Sequence, residues 1–156
     1  MKTGLFTGTF DPFTIGHKNI VDRAVKLFDK LIIAVAESEL KHTSRDIDER
    51  MKAIQRLYAN DSRVKVVAYN DLTIDLAHRE NVDFIVRGVR SVKDYEYEIV
   101  LADFNRHFGG VETIFFPADP NLEMVSSTMV RELEHFGKDV SKFIPQPEKD
   151  DETAHF

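Results

Sequence analysis

The sequence contains no cysteine, which excludes a disulfide framework, a thiolate nucleophile and a Cys-ligated metal site. It has no apolar run near the roughly 18 residues that a helical membrane span needs. Its opening, MKTGLFTGTFDP, has Lys2 as its one basic residue and a short apolar run broken by glycines. That is not the long apolar stretch of a secretory signal, so the expectation is a soluble cytoplasmic protein with no membrane partner. GxxxxGK[ST], HExxH and GxSxG are missing, and no GxGxxG follows the first strand-like run. P-loop ATPases, zinc peptidases, elbow-type serine hydrolases and dinucleotide dehydrogenases are set aside accordingly. Basic charge is also scarce. The net charge is −6, and four acids and one lysine between Glu148 and Phe156 account for −3, leaving −3 for residues 1–147. A body this mildly acidic lacks the basic face of a nucleic-acid binder, and any anion it holds must be held locally.

What is present fits one globular domain: 156 residues, 42% apolar and 31% charged. Domain boundaries of 1–147 are expected, with 148–156 as an acidic mobile tail. Strand-length apolar runs stand at Thr3–Thr7, Leu31–Ala36, Val64–Tyr69, Phe84–Val86 and Val111–Phe116. Between them, Ile20, Val21, Ala24, Val25 and Phe28 recur at helical spacing, as do Ile47, Met51, Ile54 and Tyr58. Further helices are predicted over Thr73–Arg79, Asp94–His107 and Ser127–Phe136. Strands alternating with helices argue for a doubly wound α/β fold with a five-stranded parallel sheet, LIIAVA being buried on both faces.

Such sheets bind ligands outside the carboxyl ends of their strands. Four of the five predicted ends carry anion-binding chemistry: Gly8 to His17, Lys41, Arg87 to Arg90, and Val125 to Thr128. Gly8 is expected to let backbone approach a ligand. Gly16 and His17 open a helix whose free amides favour phosphate, and His17 is expected to change charge near neutral pH. The forks of Arg87 and Arg90 match phosphate oxygens, and Ser126, Ser127 and Thr128 offer hydroxyls and helix-start amides. Taken singly, these residues read as turn glycines, an N-cap cluster, surface cations and a helix-end histidine. Their gathering at strand ends favours the binding reading. The remaining histidines lack paired ligand spacing, and His42 stands apart only because it adjoins Lys41.

These residues form recognisable motifs. Gly8-Thr9-Phe10-Asp11-Pro12 with Thr14-x-Gly16-His17, Arg87-Gly88-Val89-Arg90, Asp94-Tyr95-Glu96-Tyr97-Glu98, and Val125-Ser126-Ser127-Thr128-x-Val130-Arg131-Glu132 together resemble the bacterial phosphopantetheine adenylyltransferase family. That family lies in the α/β nucleotidyltransferase superfamily, whose fold is Rossmann-like, and the likeness runs from residue 3 to about residue 144. The resemblance implies reversible transfer of an adenylyl group from ATP to 4′-phosphopantetheine, giving dephospho-coenzyme A and pyrophosphate. It implies in-line attack by the substrate phosphate without a covalent enzyme intermediate, and Mg2+ held through ATP phosphates and water rather than by protein metal ligands. By the same resemblance His17, Thr9, Lys41 and Arg90 would be catalytic. ATP would lie along Thr9, Phe10, His17, Gly88, Val89, Arg90, Glu98, Leu122, Glu123, Met124, Val125, Ser126, Ser127 and Thr128. Phosphopantetheine would meet Thr9, Lys41, Thr73 and Arg87. The family assembles as a homohexamer, and feedback by coenzyme A is common in it.

One departure stands at Ser38-Glu39-Leu40-Lys41-His42, where the family often carries Asn-Pro-x-Lys-Lys, so a proline and a second lysine are missing. Rival readings are a nicotinamide mononucleotide adenylyltransferase, a glycerol-phosphate cytidylyltransferase, a non-catalytic nucleotide-sensing domain and an RNA-binding synthetase fragment. Thr14 in place of the first histidine of HxGH, and VSSTMVRE in place of RTEGxSTT, disfavour the first two. Retention of His17, Lys41 and both arginines disfavours the third, and the acidic body and missing KMSKS-like lysines the last.

Overall fold

The computed structural model describes residues 1–38, 40 and 42–148. Five strands, β1 (Thr3–Gly8), β2 (Lys30–Ala36), β3 (Val64–Tyr69), β4 (Phe84–Val89) and β5 (Glu112–Pro117), form one sheet in the order β3-β2-β1-β4-β5. Every pairing is parallel. The crossovers carry α1 (Ile15–Ala24), α2 (Ile47–Leu57), α3 (Thr73–Arg79) and α4 (Val92–Gly109), and α5 (Ser127–His135) follows β5. The chain winds outward from β1 to β3, then returns to pair β4 on the other side of β1. The switch point of this doubly wound sheet therefore falls between β1 and β4, where a crevice opens at the carboxyl ends.

Strand side chains alternate between two apolar layers. Phe6, Ile33, Val35 and Val86 pack with Val21 of α1 and Ile54 of α2, while Leu5, Ile32, Ala34 and Ile85 pack with Leu76 of α3. Residues 31–35 are wholly inaccessible, the two-faced burial that LIIAVA predicts. Helix starts follow the side chains available. Asp46 accepts the Glu49 amide at 2.8 Å, Ser91 that of Asp94 at 3.2 Å, and Ser126 that of Met129 at 3.1 Å.

Two elements extend more than one residue beyond expectation. Strand β4 runs on through Val89, because Arg87, Gly88 and Val89 pair with Phe115, Phe116 and Pro117 of β5; the arginine motif lies within the strand end rather than after it. Helix α4 begins at Val92 and ends at Gly109, closed by Gly110 in the left-handed conformation at φ 67°. Its one buried residue is Glu98, while Tyr97, Val100, Leu101, Phe104 and Phe108 form an exposed apolar stripe.

Candidate active site

A cleft of about 590 Å³ opens over the carboxyl ends of β1 and β4 and is flanked by the first residues of α1 and α5. A second cavity of about 470 Å³ lies beside it, bordered by β3, α3 and α4. Thr7, Gly8, Thr9, Arg87 and Glu98 line both, so the two spaces meet at the switch point.

The β1–α1 turn is built around aromatic rings. Phe10 has φ 52°, a conformation seldom adopted by a bulky residue, and its ring is buried. It meets the His17 ring edge-on at 5.0 Å, and Phe13 stacks on the same His17 ring at 5.3 Å while touching Phe10 at 5.2 Å. A Cβ on Gly8 would stand 2.7 Å from the Phe10 ring. The glycine is thus required by Phe10, as well as bordering the cavities. The Thr14 N–H donates to His17 Nδ1 at 2.9 Å, and Thr14 Oγ1 accepts the His17 N–H at 3.4 Å. This reciprocal cap gives histidine the part usually played by Glu or Gln.

The expectation that His17 changes charge near neutral pH is corrected by this geometry. Burial, then the nearby Arg87 and Arg90 charges, bring its pKa down from 6.5 to about 3. With Nδ1 already accepting a proton, the ring is a neutral Nε2–H donor.

Arg87 is more committed than a free phosphate anchor. Its Nε and Nη2 meet Glu98 Oε2 and Oε1 at 2.9 and 2.7 Å, and Nη1 donates to the Thr7 carbonyl and hydroxyl. The pair holds Arg87 protonated against the cost of its burial. Arg90 is more open and contacts Asp94 at 3.3 Å.

Of the residues the sequence singles out, Thr9, Phe10, His17, Arg87, Gly88, Val89, Arg90 and Glu98 line the first cleft. Leu122, Val125, Ser126, Ser127 and Thr128 line it from the other side. Ser127 also donates to the Pro12 carbonyl at 2.7 Å, tying α5 to the β1–α1 turn. Thr73 borders the second cavity, with its hydroxyl 3.3 Å from that of Tyr69. Glu123 and Met124 line neither cavity, and Met124 is 85% exposed. Lys41 lies outside the described residues, between Leu40 and the cleft-lining His42.

Three residues escaped sequence reasoning. Arg131 lines the cleft and donates to the Asp11 carbonyl at 2.7 Å; it stands inside a motif already noted. Asp11 is buried and accepts the amides of Ser44 and Arg45 at 2.8 and 3.0 Å, which clamps the chain after Lys41 to the site. Arg50 is buried on α2. The available signal was its place between Ile47 and Ile54, an arginine at an apolar-stripe position.

Residues 5–133 match the family model described as Cytidylyltransferase-like. A phosphopantetheine adenylyltransferase of Bacteroides thetaiotaomicron is 49% identical over 146 residues, covering 94% of this chain and 97% of that protein. One of Phocaeicola vulgatus is 48% identical over 151 residues, covering 97% and 100%. A solved bifunctional NMN adenylyltransferase/ADP ribose pyrophosphatase of Francisella tularensis, complexed with AMP and an Mn ion, superposes with TM-score 0.68 at 15% identity. That superposition covers 94% of this chain and 45% of the other, and bears on the fold alone. With its Rossmann-like parallel sheet and a motif-bearing cleft at the switch point, the chain belongs to the phosphopantetheine adenylyltransferase family and is a nucleotidyltransferase.

Proposed function

We propose that the protein transfers the adenylyl group of ATP to 4′-phosphopantetheine, reversibly, giving dephospho-coenzyme A and pyrophosphate. The observation that carries this reading is the meeting of two cavities at the switch point. The first has two helix N-termini and Arg90 and Arg131 on its walls, which suits a polyphosphate. The second offers Leu72, Ile74, Tyr97, Leu101 and Phe104, which suits an uncharged acyl-amide arm. Where they join, Thr9 and Arg87 stand, at the place where an acceptor phosphate would face the α-phosphorus of ATP.

In this mechanism the acceptor's own phosphate attacks in line, pyrophosphate leaves, and no bond to the protein forms. Thr9 orients the attacking oxygen. Arg87 contributes the N–H that Glu98 and Thr7 leave free, and Lys41 supplies a further charge to the same phosphate. His17 donates from Nε2 to an oxygen of the pentavalent phosphorus, stabilising charge that grows during transfer. Arg90, Gly88, Val89, Glu98 and the stretch Leu122–Thr128 border the nucleotide, with Glu123 and Met124 at its outer edge. Phe10 acts on the nucleotide site chiefly by supporting the His17 ring.

The cleft's donors fit Mg2+ that arrives on the nucleotide. Among the described residues no three His, Asp or Glu groups converge, and the buried acids Asp11 and Glu98 already serve backbone amides and Arg87. The ion, when bound, neutralises polyphosphate charge, with phosphate oxygens and water as its ligands.

We further infer a cytoplasmic enzyme with 1–147 as its catalytic domain and coenzyme A as a feedback inhibitor occupying the product's cavities. The exposed stripe Tyr97, Val100, Leu101, Phe104 and Phe108 on α4 supports self-association as a homohexamer, since so continuous an apolar face is seldom left to water.

The deciding experiment is pyrophosphate release with ATP, Mg2+ and phosphopantetheine, beside nicotinamide mononucleotide as acceptor, CTP as donor, and a His17→Ala protein. Release should require phosphopantetheine and fall about 10²–10³-fold in the variant. Turnover with another acceptor alone would overturn the substrate assignment, and binding of ATP without any turnover would favour a sensing domain.

A further inference from the structure

Arg50 is 4% exposed, and among the described residues no carboxylate lies within ion-pair distance of it. A buried cation without a counter-charge is costly, and an apolar side chain between Ile47 and Ile54 would serve packing better. Its partners are carbonyls. Nη1 donates to the Thr9 oxygen at 2.7 Å and the Ala36 oxygen at 2.9 Å, and Nε donates to the Arg45 oxygen at 3.2 Å. The β1–β2 register ends at Gly8 and Val35; Ala36 still pairs with Tyr69 of β3, but towards β1 neither it nor Thr9 has a ladder partner.

We infer that Arg50 is a positioning residue for adenylyl transfer, holding the peptide plane between Thr9 and Phe10 and thereby the Thr9 hydroxyl and the His17 imidazole. The Thr9 carbonyl and the Phe10 amide belong to one rigid plane. Rotating that plane changes ψ of Thr9 and φ of Phe10 together, and Phe10, at φ 52°, has strain to relieve by such a rotation. The guanidinium blocks it from the carbonyl end. If the plane turns, Thr9 swings at the junction of the two cavities, and the Phe10 ring leaves the edge of His17, 5.0 Å away. The same guanidinium holds the Arg45 carbonyl, while Asp11 holds the Ser44 and Arg45 amides. The segment that follows Lys41 is thus referenced to the same turn. Lysine cannot substitute, because one ammonium does not reproduce a planar fork serving three carbonyls.

The inference rests on the proposed reaction, and its test separates the two. Wild type, R50K, R50M, T9A and the T9A/R50K double variant are assayed with ATP, Mg2+ and phosphopantetheine at a temperature where circular dichroism shows each folded. In R50K, kcat should fall at least about tenfold while both KM values stay within about threefold, as a misplaced reacting group requires. The double variant should lose clearly less than the product of the two single losses, because the part of the R50K effect that acts through Thr9 is already gone in T9A. An R50K kcat within about twofold of wild type, or losses that multiply in the double variant, would overturn the inference. Failure of both R50K and R50M to fold would overturn it in favour of a purely structural role. Silence of the wild type would refute the reaction instead. The ring ¹⁵N signals of His17, read without substrate, should still shift in R50K, and unchanged signals would refute the positioning role.

Discussion

The backbone N–H of Thr14 donates to Nδ1 of His17 at 2.9 Å, and this one bond determines which ring nitrogen carries the proton. A group whose pKa falls from 6.5 unfolded to about 3 folded binds more protons in the unfolded state between those values. Its contribution to stability is therefore complete above about pH 6.5 and is lost as pH falls from there towards 3. Between pH 6 and 8 the turnover rate should show no limb assignable to His17. Heteronuclear NMR at pH 6 should show Nε2 protonated and Nδ1 bare. Urea midpoints at pH 7.5 and pH 5 should differ less in His17→Gln than in wild type.

Gly8→Ala places a methyl 2.7 Å from the Phe10 ring, which has nowhere to go without leaving His17. Overpacking of this kind costs about 1–3 kcal/mol. We expect that loss in urea denaturation together with a fall in kcat of at least about tenfold. Unchanged kcat would mean that the Phe10 contact does not support the histidine.

Glu98→Gln leaves the half-buried guanidinium of Arg87 without its countercharge while nearly preserving shape. Breaking one half of such a pair should destabilise the protein by about 2–4 kcal/mol. A loss below about 0.5 kcal/mol would show that the pair behaves like a surface ion pair. Denaturant titration at pH 7.5 distinguishes these values.

Ala102 borders the second cavity and not the first. Ala102→Phe should fill part of that space, raising the KM for phosphopantetheine about tenfold or more while leaving ATP binding by calorimetry unchanged. Weakened ATP binding would contradict the division of labour between the cavities.

The order of strands and helices was legible along the chain because each element carries its own periodicity. LIIAVA has the unbroken apolar character of a two-faced buried strand, and Ser126 and Asp46 sit where helix starts need a side-chain acceptor. The glycines, arginines and hydroxyls that gather at the strand ends could be found for the same reason: a parallel sheet sends all its carboxyl ends to one side. Pairing and burial were a different matter, since they depend on residues far apart in sequence. That Arg87 is held by Glu98 of α4, that Gly8 exists for Phe10, and that Arg50 serves carbonyls where β1 and β2 end follow only once β1 lies between β2 and β4. The charge state of His17 belongs to this second group. Its side chain titrates near neutrality in water, and only the tertiary structure supplies the burial, the two neighbouring guanidinium charges and the Thr14 amide that keep it neutral.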